Sequence, residues 1–127
     1  MLKNKKHIIF DWNGTLVDDA WIFVDILNVL LTTRGLKGIT IKDYRNKFCF
    51  PIKLFYKNLG VDISRKSFLK LEGEFVLEYA KRMYQPQLFE NVPKLLSELS
   101  DAGFGLSILS ASNEGGLCDL VNHYQLT

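Results

Sequence analysis

The sequence contains few of the residues that mark several specialised classes of protein. Its 127 residues include only two cysteines and three prolines. Cys49 and Cys118 lie far apart without metal-ligand spacing, so we expect reduced thiols in a cytoplasmic protein. The longest apolar stretch, AWIFVDILNVLL, is interrupted by Asp25 and Asn28 and is too short to span a bilayer. These shortages argue against a disulfide-rich secreted domain and a membrane-spanning protein.

Positive charge is missing from the end of the chain. Residues 95–127 contain no Lys or Arg and four acids, whereas residues 1–94 hold all 16 basic residues against 10 acids. The basic part is either a solvated helical surface or a surface that attracts anionic substrates. The whole chain has a net charge of only +2, so we predict neither a nucleic-acid nor a membrane partner. The apolar run that follows the basic N-terminus meets Asp11 too early for a signal peptide.

The first two-thirds of the chain predict one strand followed by four helices. HIIF, residues 7–10, is short, apolar and β-favouring, and it precedes a turn at Asn13-Gly14. Helical spacing follows from Asp19 to Pro86. Thr40 has an acid three residues later and so predicts a capping box, while Ser64 is the predicted N-cap of the fourth helix.

The remaining residues predict a helix, a second strand and a last helix. NVPKLLSELSDAG has Asn91 as its predicted N-cap and Gly103 as its stop, and FGLSILSAS is the second strand. The last helix is expected from about Asn113 to about Tyr124. Alternation of strand and helix favours an α/β fold with a parallel sheet. In such sheets ligands bind beyond the carboxyl ends of the strands, so we expect Asp11 and Ser110 to face one crevice.

Two motifs resemble those of the haloacid dehalogenase-like hydrolases. IIFDWNGTLVDD is similar to the family's first motif, four apolar residues followed by Asp-x-Asp-Gly-Thr-Leu, and LSILSAS resembles its second motif, an apolar strand that ends in Ser or Thr. The helical residues 18–85 have the position and length of the cap in the phosphoglycolate-phosphatase-like branch. The resemblance implies a partial Rossmann-like core, residues 1–17 and 86–127, with residues 18–85 inserted as a helical cap domain.

The resemblance also implies the roles of individual residues in a phosphatase-type hydrolase of a small phosphate ester. Asp11 occupies the position of the nucleophile that forms an aspartyl-phosphate. Mg²⁺ would be bound by the carboxylate of Asp11 and by the backbone carbonyl of Asn13. Ser110 matches the hydroxyl that binds a phosphate oxygen. The other expected phosphate-binding residues are Gly14, Thr15, Ala111, Ser112 and Asn113. For Asn113 a plain N-cap is the favoured interpretation, and for Ser110 the alternative is a strand-end hydroxyl that bonds its own backbone.

Position 13 departs from the family pattern. The usual second aspartate protonates the leaving oxygen and then activates water, whereas Asn13 has no exchangeable acid proton. General acid–base help is worth roughly 10²–10⁴-fold in rate, so we expect slow turnover. Asp18 or Asp19 could supply the proton instead. The alternative interpretation is that these two residues form a solvated hinge or the start of a helix.

A second departure lies downstream of Ser110. The family uses a later lysine to steady the phosphate charge and a later acidic pair to complete the Mg²⁺ site, and residues 95–127 contain no lysine. We therefore expect this chain to resemble the front part of a longer hydrolase and to be weakly active or inactive. The strand that the family places beside the first is also missing. This predicts an exposed strand edge, which a second copy in a homo-oligomer could cover.

Two other functions remain open at this stage. One is a non-catalytic binding or interaction module that keeps the scaffold. The other is a phosphonatase-like hydrolase of carbon–phosphorus bonds, because that branch has DWAGT in the first motif and uses a cap lysine to form a Schiff base. Lys53 and Lys57 are the cap lysines in question. The substrate is not determined by the sequence, although Arg45, Lys47 and Lys53 are basic candidates for contacting it.

Overall fold

A computed structural model describes residues 6–110 and 114–126 of the chain. The N-terminal part contains β1 (His7–Phe10) and β2 (Val17–Asp18). Four helices follow, namely α1 (Ala20–Thr33), α2 (Ile41–Lys47), α3 (Ile52–Asn58) and α4 (Arg65–Arg82). The chain continues with β3 (Gln87–Leu88), α5 (Val92–Asp101), β4 (Gly105–Ile108) and α6 (Glu114–His123).

The predicted α/β class with a parallel sheet is confirmed. β1 and β4 form a parallel pair in which His7 lies opposite Gly105 and Phe10 lies opposite Ile108. Parallel neighbours require a crossover connection, and the segment between β1 and β4 supplies it. The apolar pattern of HIIF and GLSI therefore correctly located the two strands that pair.

A second strand pair was missed by the sequence analysis. β2 and β3 are antiparallel, with Val17 opposite Leu88 and Asp18 opposite Gln87. The N–H of Phe89 also donates to the carbonyl oxygen of Leu16 over 3.1 Å. Each strand has only two residues, which is too short for a hydrophobic period, and the partners are distant in sequence. Only the tertiary structure therefore identifies this pair, in which β2 comes shortly after the Asn13-Gly14 turn.

The chain divides into two compact units. Met1–Asp19 and Tyr84–Thr127 form the first, and Ala20–Met83 forms the second. Both strand pairs belong to the first unit, and α1 to α4 make up the second. Both cysteines are free thiols. No helix in the described part of the chain has both the length and the apolar character needed to cross a membrane.

The helical unit is organised around the apolar face of α1. This face buries six side chains, as expected from helical spacing. Five of them pack in one cluster with residues of α3 and α4 and of the loop between them. The buried members of the cluster are Ile22, Ile26, Leu27, Leu30, Leu31, Phe55, Tyr56, Val61, Phe68 and Leu71.

The predicted helix caps are confirmed in part. Thr40 Oγ1 accepts the N–H of Asp43 over 3.0 Å, and Asp43 Oδ2 accepts the N–H of Thr40 over 3.1 Å, which is the expected capping box. Ser64 and Asn91 occupy the predicted N-cap positions, but neither side chain makes a cap hydrogen bond. At α4 the carboxylate of Asp62 accepts the N–H of Ser64 over 2.9 Å instead.

These contrasting caps give a test of the helical unit. Thr40→Ala is expected to lower its free energy of unfolding by about 1 kcal/mol, because an N–H of the first turn loses its acceptor. Ser64→Ala is the matched control and should cost only a few tenths of a kcal/mol, since Ser64 makes no cap bond. Urea titration followed by far-ultraviolet circular dichroism measures both values. Equal losses for the two variants would contradict the cap assignment.

Candidate active site

Two parallel strands end side by side at the candidate site. Phe10 and Ile108 are the last paired residues of β1 and β4. Just beyond them, the N–H of Leu109 donates to the carbonyl oxygen of Phe10 over 2.8 Å. Asp11 and Ser110 follow on the two chains. Because carboxyl ends of neighbouring parallel strands meet at one edge of the sheet, the topology brings both residues to the edge where such folds bind ligands.

Asp11 presents an accessible carboxylate at the end of β1. Its side chain is exposed. One oxygen, Oδ1, accepts the N–H of Trp12 over 2.8 Å. This bond restricts the rotation of the side chain, while exposure keeps the carboxylate accessible to a ligand.

The loop after Asp11 winds tightly around Trp12. The carbonyl oxygen of Trp12 accepts the N–H groups of Thr15, Leu16 and Val17 over 3.1–3.3 Å. Gly14 has a φ of +73°, a left-handed conformation that glycine adopts without steric cost. The Trp12 side chain is only 1% exposed, and its ring centroid lies 5.9 Å from that of Tyr124. A buried aromatic residue thus fixes the loop directly beside the candidate nucleophile.

A buried carboxylate organises the turn at positions 13 and 14. Asp19 is 3% exposed. Its Oδ2 accepts from Nδ2 of Asn13 over 2.5 Å, and its Oδ1 accepts from the N–H of Gly14 over 3.0 Å. The same N–H also donates to the carbonyl oxygen of Val17 over 3.0 Å. The N–H groups of Gly14 and Thr15 are therefore engaged within the loop, and the phosphate-binding roles of these residues stay a prediction.

The surroundings of Asp19 affect its protonation in opposite directions. Burial raises the pKa of Asp19 above the usual 3.8, while the hydrogen bonds from Asn13 and Gly14 act to lower it. A carboxyl group with a raised pKa is a candidate acid in general. Here both oxygens are engaged with the turn and the side chain has almost no access to solvent. Asp18, by contrast, is exposed on β2.

Ser110 is the second-motif residue that the structure brings to the loop. Its hydroxyl donates to Oδ1 of Asn13 over 3.5 Å, a long contact at the limit of a hydrogen bond. Asn13 thus lies between Asp19 and Ser110. The other predicted second-motif residues, Ala111, Ser112 and Asn113, lie outside the described residues.

The donor atoms at this edge are of the kind that binds Mg²⁺. The Asp11 carboxylate and the Asn13 carbonyl are hard oxygen ligands. Within residues 6–110 and 114–126, no three His, Cys, Asp or Glu side chains form a metal-binding group. Because Mg²⁺ often keeps several waters and takes only one or two carboxylates, two protein ligands are compatible with it. Asp11 and Asn13 therefore fit this ion by chemical type.

The basic candidates from the sequence all belong to the helical unit. Arg45 and Lys47 lie in the last turn of α2 and are exposed. Lys53 and Lys57 are exposed on α3, and the ammonium group of Lys53 lies 5.0 Å from the centroid of the Phe68 ring. This cation–π contact gives Lys53 a local packing role. Their assignment to substrate contact or Schiff-base chemistry stays a prediction.

The structural roles of two residues in the loop are not predicted from the sequence. Trp12 is the variable residue of the first motif, and its ring packs near that of Tyr124, which directly follows α6 and whose hydroxyl donates to the carbonyl oxygen of Pro86. Asp19 continues the alternation of buried Val17 and exposed Asp18, but Val-Asp-Asp carries no apolar alternation that would predict this burial.

Comparison with known families decides the ancestry of this site. A family model described as haloacid dehalogenase-like hydrolase matches residues 8–127, nearly the whole chain. The chain belongs to the haloacid dehalogenase-like hydrolases. The first and second motifs therefore lie in a chain of this family. A search of curated protein sequences gives no significant match.

Solved structures agree with this family at the level of the fold. A haloacid dehalogenase-like hydrolase from Streptococcus pneumoniae is 23% identical, with a TM-score of 0.80 over 98% of this chain and 58% of that protein. A predicted phosphoglycolate phosphatase from Haemophilus somnus is 17% identical, with a TM-score of 0.77 over 94% and 57%. A predicted phosphatase from Clostridium acetobutylicum is 20% identical, with a TM-score of 0.78 over 96% and 56%. The chain thus spans little more than half the length of these structures.

Proposed function

We propose that the site belongs to a Mg²⁺-dependent phosphatase-type hydrolase that acts on a small phosphate ester. The supporting observation is the exposed carboxylate of Asp11 at the end of β1, on the same sheet edge as Ser110. Family membership supports the hydrolase class, and the descriptions of the similar structures as phosphatases suggest the phosphate ester. Residues 1–17 with 86–127 would be the core and residues 18–85 the cap.

The proposed chemistry is a two-step transfer through Asp11. A carboxylate oxygen of Asp11 attacks phosphorus, the bond from phosphorus to the leaving oxygen breaks, and that oxygen takes a proton from solvent. Water then cleaves the aspartyl-phosphate, which regenerates Asp11 and releases phosphate. Mg²⁺ bound by Asp11 and the carbonyl of Asn13 would reduce the repulsion between carboxylate and phosphate. Ser110 would donate to a phosphate oxygen.

The same geometry predicts a low rate for this chain. Asn13 has no acidic proton, and Asp19 is too buried to reach a leaving group. Loss of general acid–base help alone costs roughly 10²–10⁴-fold. Residues 95–127 also supply no lysine to balance the charge on the phosphate. We therefore propose weak activity for the 127-residue chain.

A non-catalytic binding module is the second candidate. The observation that favours it is the Asn13 amide, whose Nδ2 is bonded to Asp19 and whose Oδ1 accepts from Ser110. An amide that is bonded to Asp19 at one end and faces Ser110 at the other is suited to shaping a binding site and cannot transfer a proton. Such a module would bind a phosphate group without hydrolysing the ester.

The rate of aryl phosphate hydrolysis distinguishes the two candidates. With Mg²⁺ and a chromogenic aryl phosphate, the unaltered chain should exceed the uncatalysed background, and Asp11→Asn should fall to that background because the nucleophile is lost. Asp101→Asn removes an exposed carboxylate from the end of α5 and should keep the original rate. Equal rates for the unaltered chain and Asp11→Asn would contradict catalysis and leave the binding module.

The open edge of β1 supports a further proposal, that a second copy of this chain covers it. Within the described residues, β1 pairs only with β4, and the side chain of Ile9 is 64% exposed. Unpaired apolar strand edges associate readily. Sedimentation is expected to show a dimer that dissociates on dilution, and Ile9→Lys should shift the equilibrium to monomer. A monomer at all concentrations would contradict this proposal.

A further inference from the structure

Asp19 is the one buried polar or charged side chain among the described residues. A buried charge is costly unless it is hydrogen-bonded. Two donors meet it, Nδ2 of Asn13 over 2.5 Å and the N–H of Gly14 over 3.0 Å. Both donors belong to the turn that follows the candidate nucleophile. The buried carboxylate is therefore linked to the loop of the candidate site.

The chemistry of a carboxylate fixes the orientation of the Asn13 amide. An ionised carboxylate only accepts hydrogen bonds, so Nδ2 of Asn13 must point toward Asp19. The amide oxygen, Oδ1, consequently points the other way and accepts from the hydroxyl of Ser110 over 3.5 Å. The Asn13 side chain therefore presents an acceptor oxygen toward Ser110, which follows β4.

We propose that Asp19 is the positioning residue for position 13, and that its two acceptor atoms determine both the turn at Gly14 and which end of the Asn13 amide faces Ser110. Its catalytic consequence rests on the proposed function. A carboxylate introduced at position 13 cannot be accommodated while Asp19 is retained. It requires a hydrogen-bond donor at position 19.

The test is a substitution and its rescue. Asn13→Asp removes the Nδ2 donor and places two carboxyl groups in contact, which repel each other when both are ionised. Combining it with Asp19→Asn restores the match: the new amide donates to position 13, and its oxygen still accepts the N–H of Gly14. Side-chain shape is nearly unchanged throughout, so packing volume cannot account for a rescue.

Amide hydrogen exchange at Gly14, followed by nuclear magnetic resonance, reports directly on the turn. Protection in Asn13→Asp is expected to fall roughly ten- to hundredfold, because the buried Asp19 loses the Asn13 donor and the turn that it holds loosens. The double variant should return to within a few-fold of the unaltered chain. Asp18→Asn, which neutralises the exposed neighbouring carboxylate, should leave Gly14 protected.

Asp19→Asn alone completes the comparison. While its oxygen accepts the N–H of Gly14, its NH₂ can bond position 13 only if the Asn13 amide turns over, which would move the Asn13 NH₂ protons toward Ser110. Nuclear Overhauser contacts of these protons should therefore shift from position 19 to Ser110. An Asn13→Asp variant with normal Gly14 protection, or a double variant without rescue, would overturn the positioning role.

Hydrolysis of the aryl phosphate by the same four proteins separates this inference from the proposed function. The double variant combines a carboxyl group at position 13 with an intact turn, so its rate should be the highest of the four. Rescue of Gly14 protection without any gain in rate would uphold the positioning role and count against the proposed function. A gain in rate without rescue would do the reverse.

Discussion

Trp12→Ala is expected to lower the free energy of unfolding of the strand-containing unit by about 3–5 kcal/mol. The indole is 1% exposed, so its removal leaves a large cavity beside Tyr124. The carbonyl oxygen of the same residue accepts three N–H groups of the loop. Loss of the side chain should therefore loosen the loop that positions Asp11, in addition to destabilising the unit.

Hydrogen exchange gives the measurement for Trp12. The N–H of Leu109, which donates to Phe10 where β1 and β4 end, should lose most of its protection in Trp12→Ala. Trp12→Phe keeps an aromatic ring in contact with Tyr124 and should retain more of the protection of the Leu109 N–H than Trp12→Ala does. If Trp12→Ala changed stability by less than about 1 kcal/mol, the packing of Trp12 would not be what fixes the loop.

Leu71→Ala is expected to lower the free energy of unfolding of the helical unit by about 2–5 kcal/mol. Leu71 is 1% exposed and lies in the cluster formed by α1, α3 and α4. The lost contacts and the cavity both contribute to this cost, because a packed core closes around a deletion only in part.

The same helix provides a matched control for Leu71. Leu77 lies less than two turns further along α4 and is 66% exposed. Leu77→Ala should therefore change stability by no more than about 0.5 kcal/mol. Urea titration of both variants gives the comparison. Similar losses for the two leucines would show that α4 does not bury the face assigned to it.

The main elements were predictable because their signals are local. HIIF and GLSI are short apolar runs, and α1 carries its apolar residues at helical spacing. Thr40 and Asp43 form a capping box from residues three apart. By contrast, β2 and β3 are stabilised by pairing between residues 17–18 and 87–88, which no local pattern reveals.

The side-chain environment of the site was less predictable than its location. The location of Asp11 and Ser110 could be predicted, because both residues follow strands and parallel strands place their carboxyl ends at one edge of the sheet. The burial of Trp12 depends on Tyr124, at the far end of the chain. Asp19 directly follows β2, and β2 pairs with β3, which comes after the helical unit in the sequence. Side chains that receive their environment from distant segments are not specified by a motif.

The sequence by itself determined the family of this protein, its α/β class and the edge of the sheet where a ligand would bind. Periodicity and the first motif carry that information within short windows of the chain. Only the tertiary structure decided that Asp19 is buried and that it bonds Asn13 and Gly14. The reason is physical: the burial and hydrogen bonding of a carboxylate depend on every segment that packs around it.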